Sequence, residues 1–381
     1  MVTSNSAIRD QPADPQAHLV VRGKAMAAQA SELTSLLGDI LMQTDWSNES
    51  RFRTLLGEQI AHMEAAVVGS GHALCMARLA AQHDVSGWLD EQLGGVSALA
   101  HMRALQQRLD SGGGGAGWAS VEDQLRRIQE TVVQRGGLTV NVTADAQAER
   151  AAAPALAQLV TQLPASINGS GATQRFDWGE LLPPQDEAFV VPTQVNYVGK
   201  GGRCELPSNL HGCGIVLSKI LGTTWLWDRV RVVGGAYGVF GVYDWRRDNF
   251  TFVSYRDPKL GETLETYDAT AQFVAELELD TGSLTKAIVS TIGDLDSPML
   301  PDAQGMTALM QYLRGETADE RQARREQVLG TTVADLRAVA AGLATVAKHG
   351  RVAVVGSQAA IDAHSETGDG GDFFGAVQKL L

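Results

Sequence analysis

An arginine and a tyrosine flank a pair of glycines in "WDRVRVVGGAYGVFGVYDW", residues 227–245 of a 381-residue chain. A guanidinium and a phenol are suitable donors to an oxygen on which negative charge is growing, and a guanidinium also binds carboxylates and peptide carbonyls. Arg231 and Tyr237 are an even number of positions apart, so on an extended segment both side chains face the same way. Gly234 and Gly235 would leave room there for a substrate backbone to pass close. Arg229 has the same parity as Arg231 but lies further from the glycines, and it ranks second. Residue types alone favour a plainer reading, in which Tyr237 is a strand aromatic in a core and Arg231 a solvated charge at a strand end.

Other candidate chemistry is weaker. Cys75, Cys204 and Cys213 are odd in number and include no C-x-x-C pair, which argues for a reducing compartment and against a disulfide framework. Cys204, His211 and Cys213 lie close together but lack a fourth partner and zinc-site spacing, so no metal is assigned to this chain. Gly235, Gly238 and Gly241 do not match the dinucleotide fingerprint, and "YVGKGG" lacks the rest of a P-loop. Neither H-x-x-E-H nor H-E-x-x-H occurs; His62-Met63-Glu64 is the nearest approach. Asn196 and Tyr197, in "TQVNYVG", are candidates to line a binding wall, because Pro192 suggests an edge position; ordinary strand residues are the alternative. Asp257 and Pro258 read as a helix-entry turn.

These residues must be positioned by strands and helices. "EAFVVPTQVNYVG" reads as a strand, "NLHGCGIVLSKILG" as a helix, and "AYGVFGVYDW" and "NFTFVSYRDP" as a hairpin turning at Arg246-Arg247-Asp248. Helices follow by period in "TLETYDATAQFVAEL", "GSLTKAIVSTIG" and "AQGMTALMQYLRG", and "RVAVVGS" closes as a strand. The same order occurs upstream. A strand at "HLVVRGKAM" precedes three helices, the first with Leu33, Leu36, Leu37, Ile40 and Leu41 on its apolar face, and "GLTVNVTAD" is the closing strand. The first unit has no counterpart of the second unit's leading strands, so it reads as truncated at its N-terminus. The fold class is α+β: an incomplete unit over 1–165 with a helical hairpin turning at 110–120, a linker over 163–184, and a complete unit over 166–381.

The chain carries 44 acidic against 31 basic residues, a formal charge of -13, which argues against nucleic acid and suits a cationic ligand; solubility alone also accounts for it. No apolar run approaches membrane-spanning length, and the first residues show neither a signal core nor a transit-peptide pattern.

"VVPTQVNYVGKG", "WLWDRVRVVGGAYGVF", "SYRDPKLGETLETYDATAQFV" and "AIVSTIGDLDSPMLPDAQGM" together closely resemble the C-terminal half of presequence proteases, which are pitrilysin-type zinc metallopeptidases. "VRGKAM", "GSGH" and "GWLDEQLGGVS" fit the same family. The resemblance implies two pitrilysin-type units with an antiparallel sheet and helices on one face, the end of the family's third domain and the whole of its fourth. It implies an enzyme, a metalloendopeptidase that degrades cleaved targeting presequences and other short unstructured peptides in a closed chamber, in the mitochondrial matrix or chloroplast stroma. Zinc would be bound by an N-terminal half outside this chain, and this chain alone would be inactive. The family pattern R-V-x-G-G-A-Y places Arg231 and Tyr237 as the residues that hold substrate and its developing oxyanion. The alternative is a non-catalytic subunit that pairs with a separate zinc-bearing chain.

Overall fold

The computed structural model describes residues 2–5, 16–111, 116–165, 181–367 and 373–381. The chain starts with a short antiparallel pair, β1 (Val2–Asn5) and β2 (Gln16–Leu19). Helices follow: α1 (Ala30–Met42), α2 (Glu49–Gly69), α3 (Gly71–Ala81), α4 (Val85–Gly94), α5 (Val96–Ser111), α6 (Ala116–Val132) and α7 (Ala146–Gln162). Then come β3 (Glu187–Val190), β4 (Tyr197–Arg203), α8 (His211–Thr223), β5 (Gly238–Asp244) and β6 (Asn249–Tyr255). The chain continues through α9 (Gly261–Ala275), α10 (Thr281–Leu295), α11 (Pro301–Leu313), α12 (Ala318–Leu329), α13 (Val333–Ala338) and α14 (Ala340–His349). It ends with β7 (Arg351–Gly356), α15 (Gln358–Thr367) and β8 (Ala376–Lys379).

Six strands form one sheet in the order β5-β6-β4-β7-β3-β8. The expected α+β class holds, and so does the hairpin, with Asp244 opposite Asn249 and Asp248 in the left-handed region at φ 47°. The sheet is antiparallel from β5 to β7, whereas β3 runs parallel to both β7 and β8. The single strand expected at 187–199 is two. Proline has no N–H for a ladder, and around Pro192 the chain leaves β3, re-entering the sheet as β4 on the far side of β7.

Helices cover both faces, not one. On one face Phe250, Phe252, Val352 and Val354 pack with Leu217 of α8, Leu264 of α9 and Leu343 of α14. On the other, Phe189, Tyr197, Val253, Ala353 and Val355 pack with Met63 of α2, Cys75 and Leu79 of α3 and Leu99 of α5. Strict alternation along β7 divides its side chains between the two cores, as a strand buried on both faces requires. Helices upstream of residue 165 therefore complete the core of the sheet that lies downstream of it.

Between those layers lies a buried ionic cluster. Arg78 of α3 donates from Nη2 and Nε to the Glu187 carboxylate of β3, at 2.6 and 2.9 Å, and from Nη1 to Glu91 of α4 at 2.9 Å. Ser97 donates to the same Glu91 oxygen from its amide and hydroxyl. Glu91 is fully buried and Glu187 nearly so; Glu187 also accepts from Gln185 and Gln82, and the guanidinium is the counter-charge that the two carboxylates share.

Two local expectations change. The closing strand expected at 137–145 is not a strand: those residues find no ladder among the described residues, and they run past α11, where Asn141 Nδ2 donates to the Gly305 carbonyl at 3.2 Å. α1 buries Thr34 and Gly38 while Leu36 and Ile40 stay exposed. α7 approaches on the glycine side, where a Cβ on Gly38 would meet Leu159 at 3.1 Å. Most of the expected linker, 166–180, and the centre of the 110–120 turn, 112–115, lie outside the described residues.

Candidate active site

Beyond α8 the backbone widens into a π-helical segment, Trp227–Val233, whose inner side is anchored by fully buried Leu226 and Val230. Arg231 therefore sits on a helical turn, not on the extended segment expected from its spacing. The turn stops at the glycine pair. Gly234 N–H donates back to the Arg229 carbonyl at 3.0 Å, and Gly235 N–H to that of Arg231 at 2.9 Å. Gly235 has φ 86°, which a side chain with a Cβ adopts only at a cost. At Gly234 a Cβ would come within 2.4 Å of the Val230 carbonyl oxygen. The glycines are thus needed for the chain reversal itself, a reason distinct from the expected passage of a substrate backbone.

After the reversal, Tyr237 leads into the edge strand β5. Its N–H donates to the carbonyls of Tyr255 and Arg256 at 3.1 and 3.3 Å, which ties it to the end of β6. The residue is 67% exposed. The Arg231 guanidinium carbon lies 6.0 Å from the Tyr237 ring centre and 3.9 Å over the Trp227 ring. The pair predicted from the sequence does come together, through a helical turn and a glycine cap and not through strand alternation. Arg229 turns elsewhere and stacks over Trp225 at 5.1 Å.

Both side chains open on a cleft of about 790 Å³. Its floor is β5, from Gly238 to Val242; Ile215 and Lys219 of α8 and Leu295 of α10 form one wall. Lys219 is paired with Asp294 at 2.9 Å, also on the lining. On the opposite side stand Tyr255 and, from the α2–α3 junction, Gly69, Ser70 and His72. Burial holds the His72 imidazole below its ordinary pKa, so it is neutral at neutral pH.

Asn196 and Tyr197, expected on a wall, are buried at 3% and 1% exposure and lie away from the cleft. Asn196 exchanges backbone hydrogen bonds with Asp257 at 2.7 and 2.8 Å and donates from Nδ2 to the Asp257 carbonyl at 3.1 Å. The Tyr197 phenol donates to the Val68 carbonyl. Both are structural. Asp257 accepts from Lys259 N–H and from the Thr263 hydroxyl, which braces the turn into α9. It is not the expected cap: α9 starts at Gly261, its N-cap position is Leu260, and Pro258 lies before the first turn. His72 and Tyr255 were not singled out as site residues; "GSGH" and "SYRDP" contained them, but no spacing rule joins two residues so far apart in the chain.

Among the described residues no group of three or more His, Cys, Asp or Glu is placed to hold a metal ion. Burial pushes the Cys204 thiol up to about 12, and His211 Nε2 faces the Leu206 carbonyl at 3.3 Å.

Comparison with known proteins agrees with this architecture. Residues 186–358 match the family model described as the PreP C-terminal domain, and residues 1–105 match a second model, described as associated with subfamily C of the M16 peptidases. Presequence protease 1, chloroplastic/mitochondrial, from Arabidopsis thaliana is 38% identical over the whole chain, which covers 34% of that protein. The chain spans about a third of the length of the curated relatives it matches. Among solved structures, pitrilysin superposes with a TM-score of 0.56 at 13% identity, over 92% of this chain and 36% of pitrilysin. A peptidase M16 inactive domain from Pseudomonas fluorescens gives 0.55 at 15% identity, over 85% of this chain and 74% of the other. The chain belongs to the presequence protease family of pitrilysin-type peptidases and corresponds to its C-terminal part.

Proposed function

We propose that this chain is the C-terminal half of a zinc metalloendopeptidase and supplies two donors, Arg231 and Tyr237, to the peptide being cut. The observation that carries the reading is their convergence on one cleft from either side of a glycine reversal. When a peptide carbonyl is attacked, its oxygen becomes anionic, and an exposed phenol held against a fixed backbone is a preorganised donor to it. Arg231, oriented by Trp227, holds a neighbouring substrate carbonyl or carboxylate. Neither group needs to move a proton in this role.

Zinc and the base that activates water belong, on this reading, to an N-terminal half. The substrates are cleaved presequences and other short unstructured peptides, enclosed between the two halves, in the mitochondrial matrix or the chloroplast stroma. The net charge of -13 suits Arg-rich peptides of that kind. The division into two units, 1–165 and 166–381, is part of the same proposal. The test is to assay a basic presequence peptide with this chain alone, with a zinc-bearing N-terminal half alone, and with both. Hydrolysis only in the mixture supports the proposal; hydrolysis by this chain alone refutes it.

A further inference from the structure

We infer that His72 is a positioning residue which, through Tyr255, fixes the phenol of Tyr237. This rests on the reading of Tyr237 as a donor, and it adds a residue from far upstream in the chain to the site. Tyr237 is mostly exposed, yet a useful donor must be held to one place. Its ring leans on Tyr255, with centres 5.8 Å apart in an edge-to-face arrangement at 66°. Tyr255 is in turn packed edge-to-face by His72, at 5.0 Å and 88°, and flanked by Tyr197 at 5.6 Å. Edge-to-face contacts set the relative orientation of two rings, which burial alone does not.

The column is anchored at its base. The Tyr197 phenol donates to the carbonyl of Val68, in the last turn of α2. Its ring lies so near the start of α3 that a Cβ on Gly71 would fall 2.4 Å from it. Gly71 thus lets the α2–α3 junction close onto Tyr197, and the next residue, His72, is thereby delivered to Tyr255. The "GSGH" motif has its physical reason in this packing. His72 Nδ1 is enclosed and makes no hydrogen bond among the described residues. What the side chain supplies is therefore a flat ring, and a phenyl ring can replace it.

The test places 3-fluorotyrosine at position 237 of the full 381-residue chain and reads its fluorine resonance, with turnover measured after addition of the zinc-bearing half. His72→Leu keeps apolar bulk but removes the ring, and His72→Phe restores a ring. For His72→Leu the account expects a displaced or broadened resonance, kcat lowered roughly tenfold and KM within about twofold. His72→Phe should recover most of both effects. A wild-type resonance in His72→Leu overturns the inference, as does a His72→Phe variant no better than His72→Leu in a chain of unchanged urea midpoint. If the resonance moves with His72 while Tyr237→Phe turns over normally, the positioning stands and the donor role of Tyr237 fails.

Discussion

The Arg231 guanidinium lies over Trp227 at 3.9 Å and 6.0 Å from the ring centre of Tyr237, so one cation is shared between an indole that holds it and a phenol that it accompanies. The indole limits where the guanidinium can go without neutralising it. Two donors then face one cleft at a distance set by the π-helical turn and its glycine cap.

That cap can be tested by stability. Gly235 is at φ 86°, and Gly71 has the Tyr197 ring 2.4 Å from where a Cβ would stand. Gly235→Ala should destabilise by about 1–2 kcal/mol through left-handed strain. Gly71→Ala should cost about 1–3 kcal/mol through overpacking. Urea unfolding of each variant measures this; midpoints equal to wild type would show that the chain accommodates both methyl groups.

The layer joint offers a second test. Removing Arg78 alone strands Glu91 and Glu187, both buried, without a counter-charge. Arg78→Met should cost about 3–5 kcal/mol, the range for breaking a buried pair. The triple variant that also carries Glu91→Gln and Glu187→Gln should regain part of that loss. A loss below about 1 kcal/mol, on the same scale, would mean that water reaches the carboxylates.

Stability should also fall on mild acidification. Burial lowers the pKa of His18, His72, His83 and His364 from the ordinary 6.5. A group whose folded-state pKa is depressed contributes stability that is present above its unfolded value and lost as pH falls through the folded one. The urea midpoint should therefore decrease as pH is lowered from about 7.5 through 6.5 and below. His83→Gln should flatten part of the slope, whereas a midpoint independent of pH in this window would contradict the burial of these rings.

Local pattern carried much of the fold. The β5–β6 hairpin, α8 and the helices from α9 to α11 follow from period and turn chemistry, because each depends on neighbours in the chain. What was not legible depends on distant partners. Tyr197 reads as a strand residue at an edge, yet α3 covers it, and nothing near position 197 announces a helix from position 71. Leu36 and Ile40 mark an apolar face of α1 that the structure leaves exposed, since the small Gly38 admits α7 on another side. Arg231 and Tyr237 are candidates by residue type, spacing and the family pattern R-V-x-G-G-A-Y together, but the extended backbone assumed for them is a π-helical turn ending at Gly234. The two side chains do meet, but through a helical turn and a glycine cap that their spacing did not announce.

The most direct measurement is kcat for Tyr237→Phe in the enzyme assembled with its zinc-bearing half. Losing one oxyanion donor should lower kcat on the order of 10²–10³-fold while KM changes little, with the fold intact because the ring and its contact with Tyr255 remain. Turnover within about twofold of wild type would show that the phenol does not touch the reacting oxygen, and the account of this site would be wrong.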